Sequence, residues 1–160
     1  EGEEEEWIAP VMSRFTFCAR RPFHPARLQK LLKRGRLEGV IRSRGLIWVA
    51  THPEDAILWS HVGNSMDLLL GEPWLQAKGL PTAQWPTDVP SWARSAAHGD
   101  RRTELGFIGM DADVAAVRRA LSKALVTRAE MERGLWGQHE DLRREKRYWW
   151  LLGSKAMARA

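Results

Sequence analysis

Apolar and polar residues first alternate over residues 14–20, with Phe15, Phe17 and Ala19 on one side and Arg14, Thr16, Cys18 and Arg20 on the other. A period of two predicts a half-buried strand. Arg21-Pro22-Phe23-His24-Pro25 interrupts it. Pro25 suits the first turn of a helix whose apolar stripe is Leu28, Leu31 and Leu32 and whose stop is Gly35. Residues 37–42 and 46–51 are short β-rich runs around Ser43-Arg44-Gly45, which predicts a hairpin. Residues 56–62 and 65–70 around Gly63-Asn64 predict a second, although residues 54–59 also suit the start of a helical turn.

Residues 71–99 are rich in Pro and Gly and carry Trp74, Trp85 and Trp92. Such a length is unusual for a connection, so a packed excursion is expected, with a helical turn at 91–97. Thr103, Leu105 and Phe107 restore the strand period over residues 102–108. Asp111 or Asp113 then caps a helix striped by Val114, Val117, Leu121 and Leu125. Thr127 caps a further turn through Met131, and residues 139–152 predict a last, basic helix containing Tyr148-Trp149-Trp150.

Hairpins in place of strict strand–helix alternation predict an α+β fold. Its expected form is an antiparallel or mixed four- to five-stranded sheet with helices packed on one face, a long Pro/Trp-rich loop and a basic C-terminal helix. Residues 1–10 read as the end of an acidic linker, 11–136 as the domain and 137–160 as a basic, aromatic helix or tail.

Composition narrows the class. A chain of 160 residues suits one domain, and 44% hydrophobic with 28% charged residues excludes wholesale disorder. Apolar runs such as Leu46-Ile47-Trp48-Val49-Ala50 are far short of the roughly 18 residues that cross a bilayer. The one cysteine, Cys18, can form neither an internal disulfide nor a multi-cysteine metal site, which fits a reducing compartment such as the cytoplasm or an organelle interior. A start at Glu1 reads as a processed product or fragment.

Charge is unevenly spread behind the net +5: residues 14–44 hold ten Lys/Arg against Glu38 alone. Such a patch suits an anionic partner or a merely solvated face. Nine tryptophans suggest core packing together with protein contact. No Gly-x-x-x-x-Gly-Lys-Ser/Thr, Gly-x-Ser-x-Gly or His-Glu-x-x-His occurs, so the chain shows no catalytic motif. The histidines lack metal-ligand spacing; His52 and His61 with a carboxylate are the weak candidates for a metal site assembled by folding.

Four segments, taken in order, carry a resemblance. Arg20-Arg21-Pro22-Phe23-His24-Pro25-Ala26-Arg27-Leu28 follows an aromatic strand, and Ile41-Arg42-Ser43-Arg44-Gly45-Leu46-Ile47-Trp48-Val49-Ala50-Thr51 comes next. Leu58-Trp59-Ser60-His61-Val62-Gly63 and Gly99-Asp100-Arg101-Arg102-Thr103-Glu104-Leu105-Gly106-Phe107-Ile108-Gly109 complete the set. Over residues 14–136 the chain resembles the C-terminal domain of CobW-type GTPases, the GTP-dependent metal chaperones.

The resemblance implies a non-catalytic regulatory and client-binding domain, joined in a longer parent to a GTPase domain that would carry GTP, Mg and Zn. It implies no cofactor on this chain, and names as partners the GTPase domain of the same protein or a client metalloprotein. An alternative is a stand-alone scaffold or accessory subunit of a protein or ribonucleoprotein assembly, since cationic grooves with aromatics hold RNA. Arg20, Arg21, Asp100, Arg101, Arg102 and Glu104 are expected to form a fixed ion-pair network that orients loops or docks a neighbour. These residues, His24 and the loop tryptophans Trp74, Trp85 and Trp92 are the candidate interaction residues.

Overall fold

The computed structural model describes residues 9–33 and 37–134. Its strands are β1 (Met12–Ala19), β2 (Val40–Val49), β3 (His52–Val62), β4 (Ser65–Pro73) and β5 (Thr103–Met110). Its α-helices are α1 (Pro25–Lys33), α2 (Ser91–Ser95), α3 (Val114–Ala124) and α4 (Arg128–Glu132), with a 3₁₀ turn at Thr82–Gln84. Residues 1–8 of the expected acidic linker and the predicted basic helix at 139–152 lie outside the described residues.

The strands form one antiparallel sheet in the order β1-β5-β2-β3-β4. The expected α+β class holds, with five strands among the described residues, all paired antiparallel. The hairpin at Gly63-Asn64 is present, with Val62 opposite Ser65 and Gly63 at φ 58°. The helical alternative for residues 54–59 is not: they lie within β3.

The other predicted hairpin is a correction. Ser43-Arg44-Gly45 is no turn but the middle of the ten-residue strand β2, which turns instead at Ala50-Thr51 into β3. Gly45 serves as a point of close approach rather than a bend. A Cβ built there would lie 2.0 Å from the backbone oxygen of Glu104 on β5, so only glycine lets the two strands meet.

The alternation on β1 and β5 sends Phe15, Phe17, Leu105 and Phe107 to one face, where Phe15 and Phe107 stack with centroids 4.8 Å apart. Leu28 and Leu31 of α1 and Val117 and Leu121 of α3 join the same core as Phe17, Leu105, Phe107, Ile57 and Trp59. Both helices therefore cover this face. Asp113, not Asp111, caps α3 by accepting a hydrogen bond from Ala116 N at 2.8 Å. Asp111 instead closes the β1–β5 end, accepting from Val11 N and donating its own N–H to Val11 O, both at 2.9 Å.

Among the described residues the opposite face is covered only at one end. Trp48, Ala56 and Trp74 form a second buried cluster, joined by Leu46, Ala77 of the long loop and Met131 of α4. The remainder is open, with Leu58 and Val62 45% and 53% exposed.

Candidate functional site

The chain leaves β1 through Arg20-Arg21-Pro22-Phe23-His24-Pro25 and is pinned there by backbone bonds. Phe23 N donates to Trp48 O at 2.7 Å, Ala50 N donates to Phe23 O at 3.0 Å, and Val126 N donates to Pro22 O at 2.8 Å. His24 N donates to Ala124 O at 2.9 Å while His24 O accepts from Leu28 N, the first bond of α1. Prolines at 22 and 25 remove two donors that this path leaves without a role and fix φ at the helix entry. Phe23, with no exposed surface, fills the space between the end of β2 and the end of α3.

The sheet register brings the start of β5 beside this segment, because Ala19 lies opposite Thr103. The candidate residues thus gather at one pole of the sheet, but not as an ion-pair network. Among the described candidates only Arg102 and Glu104 form an ion pair, with Nε 2.9 Å from Oε2. Arg21 donates to Val126 O at 2.7 Å, and Arg101 donates from Nε to Pro53 O at 2.5 Å. Asp100 is buried and accepts Leu75 N and Gln76 N, each at 3.0 Å, on its two carboxylate oxygens. The physical reason is supply: this pole is made of turns whose carbonyls and amides lack ladder partners, and charged side chains satisfy them.

The loop tryptophans belong to the same pole. Trp74 and Trp85 are buried, and Trp85 donates from Nε1 to Leu80 O at 3.1 Å. Arg94 donates to the Thr82 and Pro86 carbonyls, closing the loop on itself. Trp92 is half-buried under Arg20, whose guanidinium carbon sits 3.7 Å from the ring centroid. His98 packs its ring 5.4 Å from that of Trp48. Burial, and then the Arg101 charge, hold its imidazole below the ordinary range. Of the sequence candidates, Arg20, Arg102, Glu104 and Trp92 present surface, while Asp100, Trp74 and Trp85 are structural.

His52 and His61 lie at opposite ends of β3, roughly 30 Å apart at strand rise, so no single ion reaches both. His61 is buried, with Nε2 2.7 Å from Gly63 O and Nδ1 3.3 Å from Ser43 Oγ. Because a carbonyl only accepts, Nε2 carries the proton, and in the neutral ring Nδ1 accepts from the Ser43 hydroxyl. Ser43 Oγ in turn accepts from Trp59 Nε1 at 2.8 Å. His52 places Nδ1 3.0 Å from Thr51 Oγ1. Among the described residues no group of three His, Cys, Asp or Glu side chains gathers as metal ligands would.

Sequence reasoning passed over two features. Arg27 clamps Glu130 and also donates to Leu125 O at 2.9 Å, tying α1 to α4. Thr127-x-x-Glu130 is the capping-box spacing and signals half of this arrangement in advance. The other is the cationic open face, where Arg14, Thr16, Arg42, Arg44, Gly106 and Ile108 border a cavity of about 770 Å³ that Phe15, Ser43, Phe107 and Arg118 of α3 also line. Its strand-by-strand origin is invisible until the register is known.

Comparison with known proteins converges on one family. The model of the cobalamin synthesis protein cobW C-terminal domain matches residues 12–125. The zinc-regulated GTPase metalloprotein activator 1 of Dictyostelium discoideum is 33% identical over 133 residues, which cover 79% of this chain and 28% of that protein. The zinc chaperone Rv0106 of Mycobacterium tuberculosis is 31% identical over 122 residues, covering 72% of this chain and 30% of that one. Among solved structures, the Zn(II)-bound YjiA GTPase from E. coli superposes with a TM-score of 0.51 at 15% identity, over 72% of this chain and 30% of YjiA, a likeness of fold. The chain thus spans about three tenths of the length of the relatives it matches. With its match running from the first residue of β1 to just past the end of α3, this chain belongs to the CobW C-terminal domain family.

Proposed function

We propose that this domain is the regulatory, client-binding part of a longer GTPase metallochaperone, and that it performs no chemistry itself. The observation that carries this reading is the match over residues 12–125 to a C-terminal domain, with relatives named as a zinc-regulated GTPase and a zinc chaperone. In this reading GTP, Mg and Zn are held by the parent's GTPase domain, and this domain touches that domain or the metalloprotein client. The open sheet face and the Arg20–Trp92 and Arg102–Glu104 surface are the areas free to do so.

The packing gives the domain a suitable character. The sheet is backed by two helices and its pole is tied by side chain to backbone bonds, so it moves as a body and transmits a change of contact rather than absorbing it. Isothermal titration of the chain with GTP–Mg and with zinc tests the division of labour. The expected result is no tight site for either; nanomolar GTP binding overturns the reading. The ribonucleoprotein alternative has no support among the described tryptophans, since Trp48, Trp59, Trp74 and Trp85 are buried and Trp92 lies beneath Arg20.

A further inference from the structure

The open sheet face carries charge that the fold does not use. Arg14, Arg42 and Arg44 are exposed, and none of their guanidiniums makes a hydrogen bond or ion pair with another described residue. The register sets them out in rows. Arg14 of β1 and Arg42 of β2 both face Ile108 of β5, while Thr16 and Arg44 both face Gly106. Strand β5 is therefore the floor of a groove, with Arg14 on one bank and Arg42 and Arg44 on the other. At ~4.8 Å per strand step the banks stand about 10 Å apart.

Gly106 keeps the floor low. A Cβ there would meet nothing nearer than the Arg44 carbonyl oxygen at 3.8 Å, so unlike Gly45 this glycine is not demanded by neighbouring backbone. Glu104, the acid at the next position along this face of β5, is already held by Arg102. Apolar surface continues beside the groove, with Met12 60%, Met110 39% and Val62 53% exposed.

We infer that this groove binds an extended acidic segment of another protein, one that alternates carboxylates with small apolar side chains. Arg42 and Arg44 point from the same face of one strand about 6.8 Å apart, which is the spacing of side chains at i and i+2 in an extended peptide. Carboxylates at alternate positions meet both guanidiniums in register, and the side chains between them lie over Ile108 and the Gly106 floor. Phe15 and Phe107 border the same cavity, but their rings turn to the helix side and stack on each other, which leaves them poorly placed to stack bases. Single-stranded RNA, which depends on base stacking, is less well matched. This inference goes beyond the proposed function and does not require a GTPase.

Fluorescence anisotropy with a short labelled peptide carrying Glu at every second position and Ala or Val between tests it, alongside a labelled oligouridylate. The peptide is expected to bind at low salt and to weaken as salt rises. Arg42→Glu with Arg44→Glu should weaken it by about tenfold or more, while Arg42→Lys with Arg44→Lys should retain most of the affinity. Gly106→Val, which raises the floor at an open position, should block binding with an unchanged thermal melt. No binding at low salt overturns the inference. So does binding that survives the double Glu variant, or oligouridylate that displaces the peptide from the same arginines.

Discussion

Arg27 grips Glu130 with both arms of its guanidinium, Nη1 3.0 Å from Oε2 and Nη2 2.5 Å from Oε1. The same carboxylate accepts Thr127 N at 2.7 Å, so one side chain both caps α4 and fastens it to α1. These bonds, Arg27 first and Thr127 second, hold the Glu130 carboxyl at about 2 instead of 4.5. A carboxyl lowered on folding contributes stability that is fully present above its unfolded value and is lost as pH falls toward its folded one. Glu130→Gln keeps an oxygen to accept Thr127 N but loses the charge, so it should cost no more than about 1 kcal/mol at neutral pH, because solvent screens the pair. Thermal melts of both proteins at pH 7 and near pH 2 check this: the gap should close at the acid end, and an equal gap at both ends contradicts it.

Gly45 and Gly106 make an internal control for close approach. Gly45→Ala should destabilise by roughly 3 kcal/mol or more, because its Cβ would fall 2.0 Å from Glu104 O and the β2–β5 pairing must open. Gly106→Ala should change stability by less than about 1 kcal/mol. Urea midpoints of the two variants decide between this account and a general intolerance of side chains in the sheet.

Asp100 organises the long loop. Asp100→Ala leaves Leu75 N and Gln76 N without their acceptor and should cost about 1–3 kcal/mol. Amide exchange should speed up at residues 75–79 well before it changes in β5, and Trp74 emission should shift to the red as its cover loosens. Uniform acceleration across the sheet would place the role of Asp100 elsewhere.

Ser43 links Trp59 and His61 in the buried face. Ser43→Ala takes away the acceptor of Trp59 Nε1 and should cost about 1–3 kcal/mol. Ser43→Thr keeps a hydroxyl but adds a methyl at a position 1% exposed, so it should recover only part of the loss. Comparing the two by denaturant unfolding separates the hydrogen bond from the packing.

Much of this architecture was legible because periodicity reports local burial. Phe15, Phe17 and Ala19, then Thr103, Leu105 and Phe107, announced β1 and β5, and Gly63 announced its turn. Gly45 misled for a physical reason: glycine marks either a bend or a contact between backbones, and which applies depends on Glu104, distant in sequence. The charged cluster was read as ion pairs, since sequence shows which groups carry charge and not which backbone atoms lack partners. Asp100 could not be matched to Leu75 and Gln76 before the loop had a path. The arginine groove was legible only as an excess of charge over residues 14–44, because Arg14 and Arg42 become neighbours only when β5 slides between their strands.

That insertion also orders assembly in time. During synthesis β2, β3 and β4 can zip together as soon as residue 73 has emerged, whereas Met12 must wait for Met110 before β1 has any edge to join. Until then the flank of β2 that will receive β5 stands bare, from Val40 to Leu46. A ribosome stalled before β5 would consequently display a half-built sheet open to capture by chaperones or by its own copies.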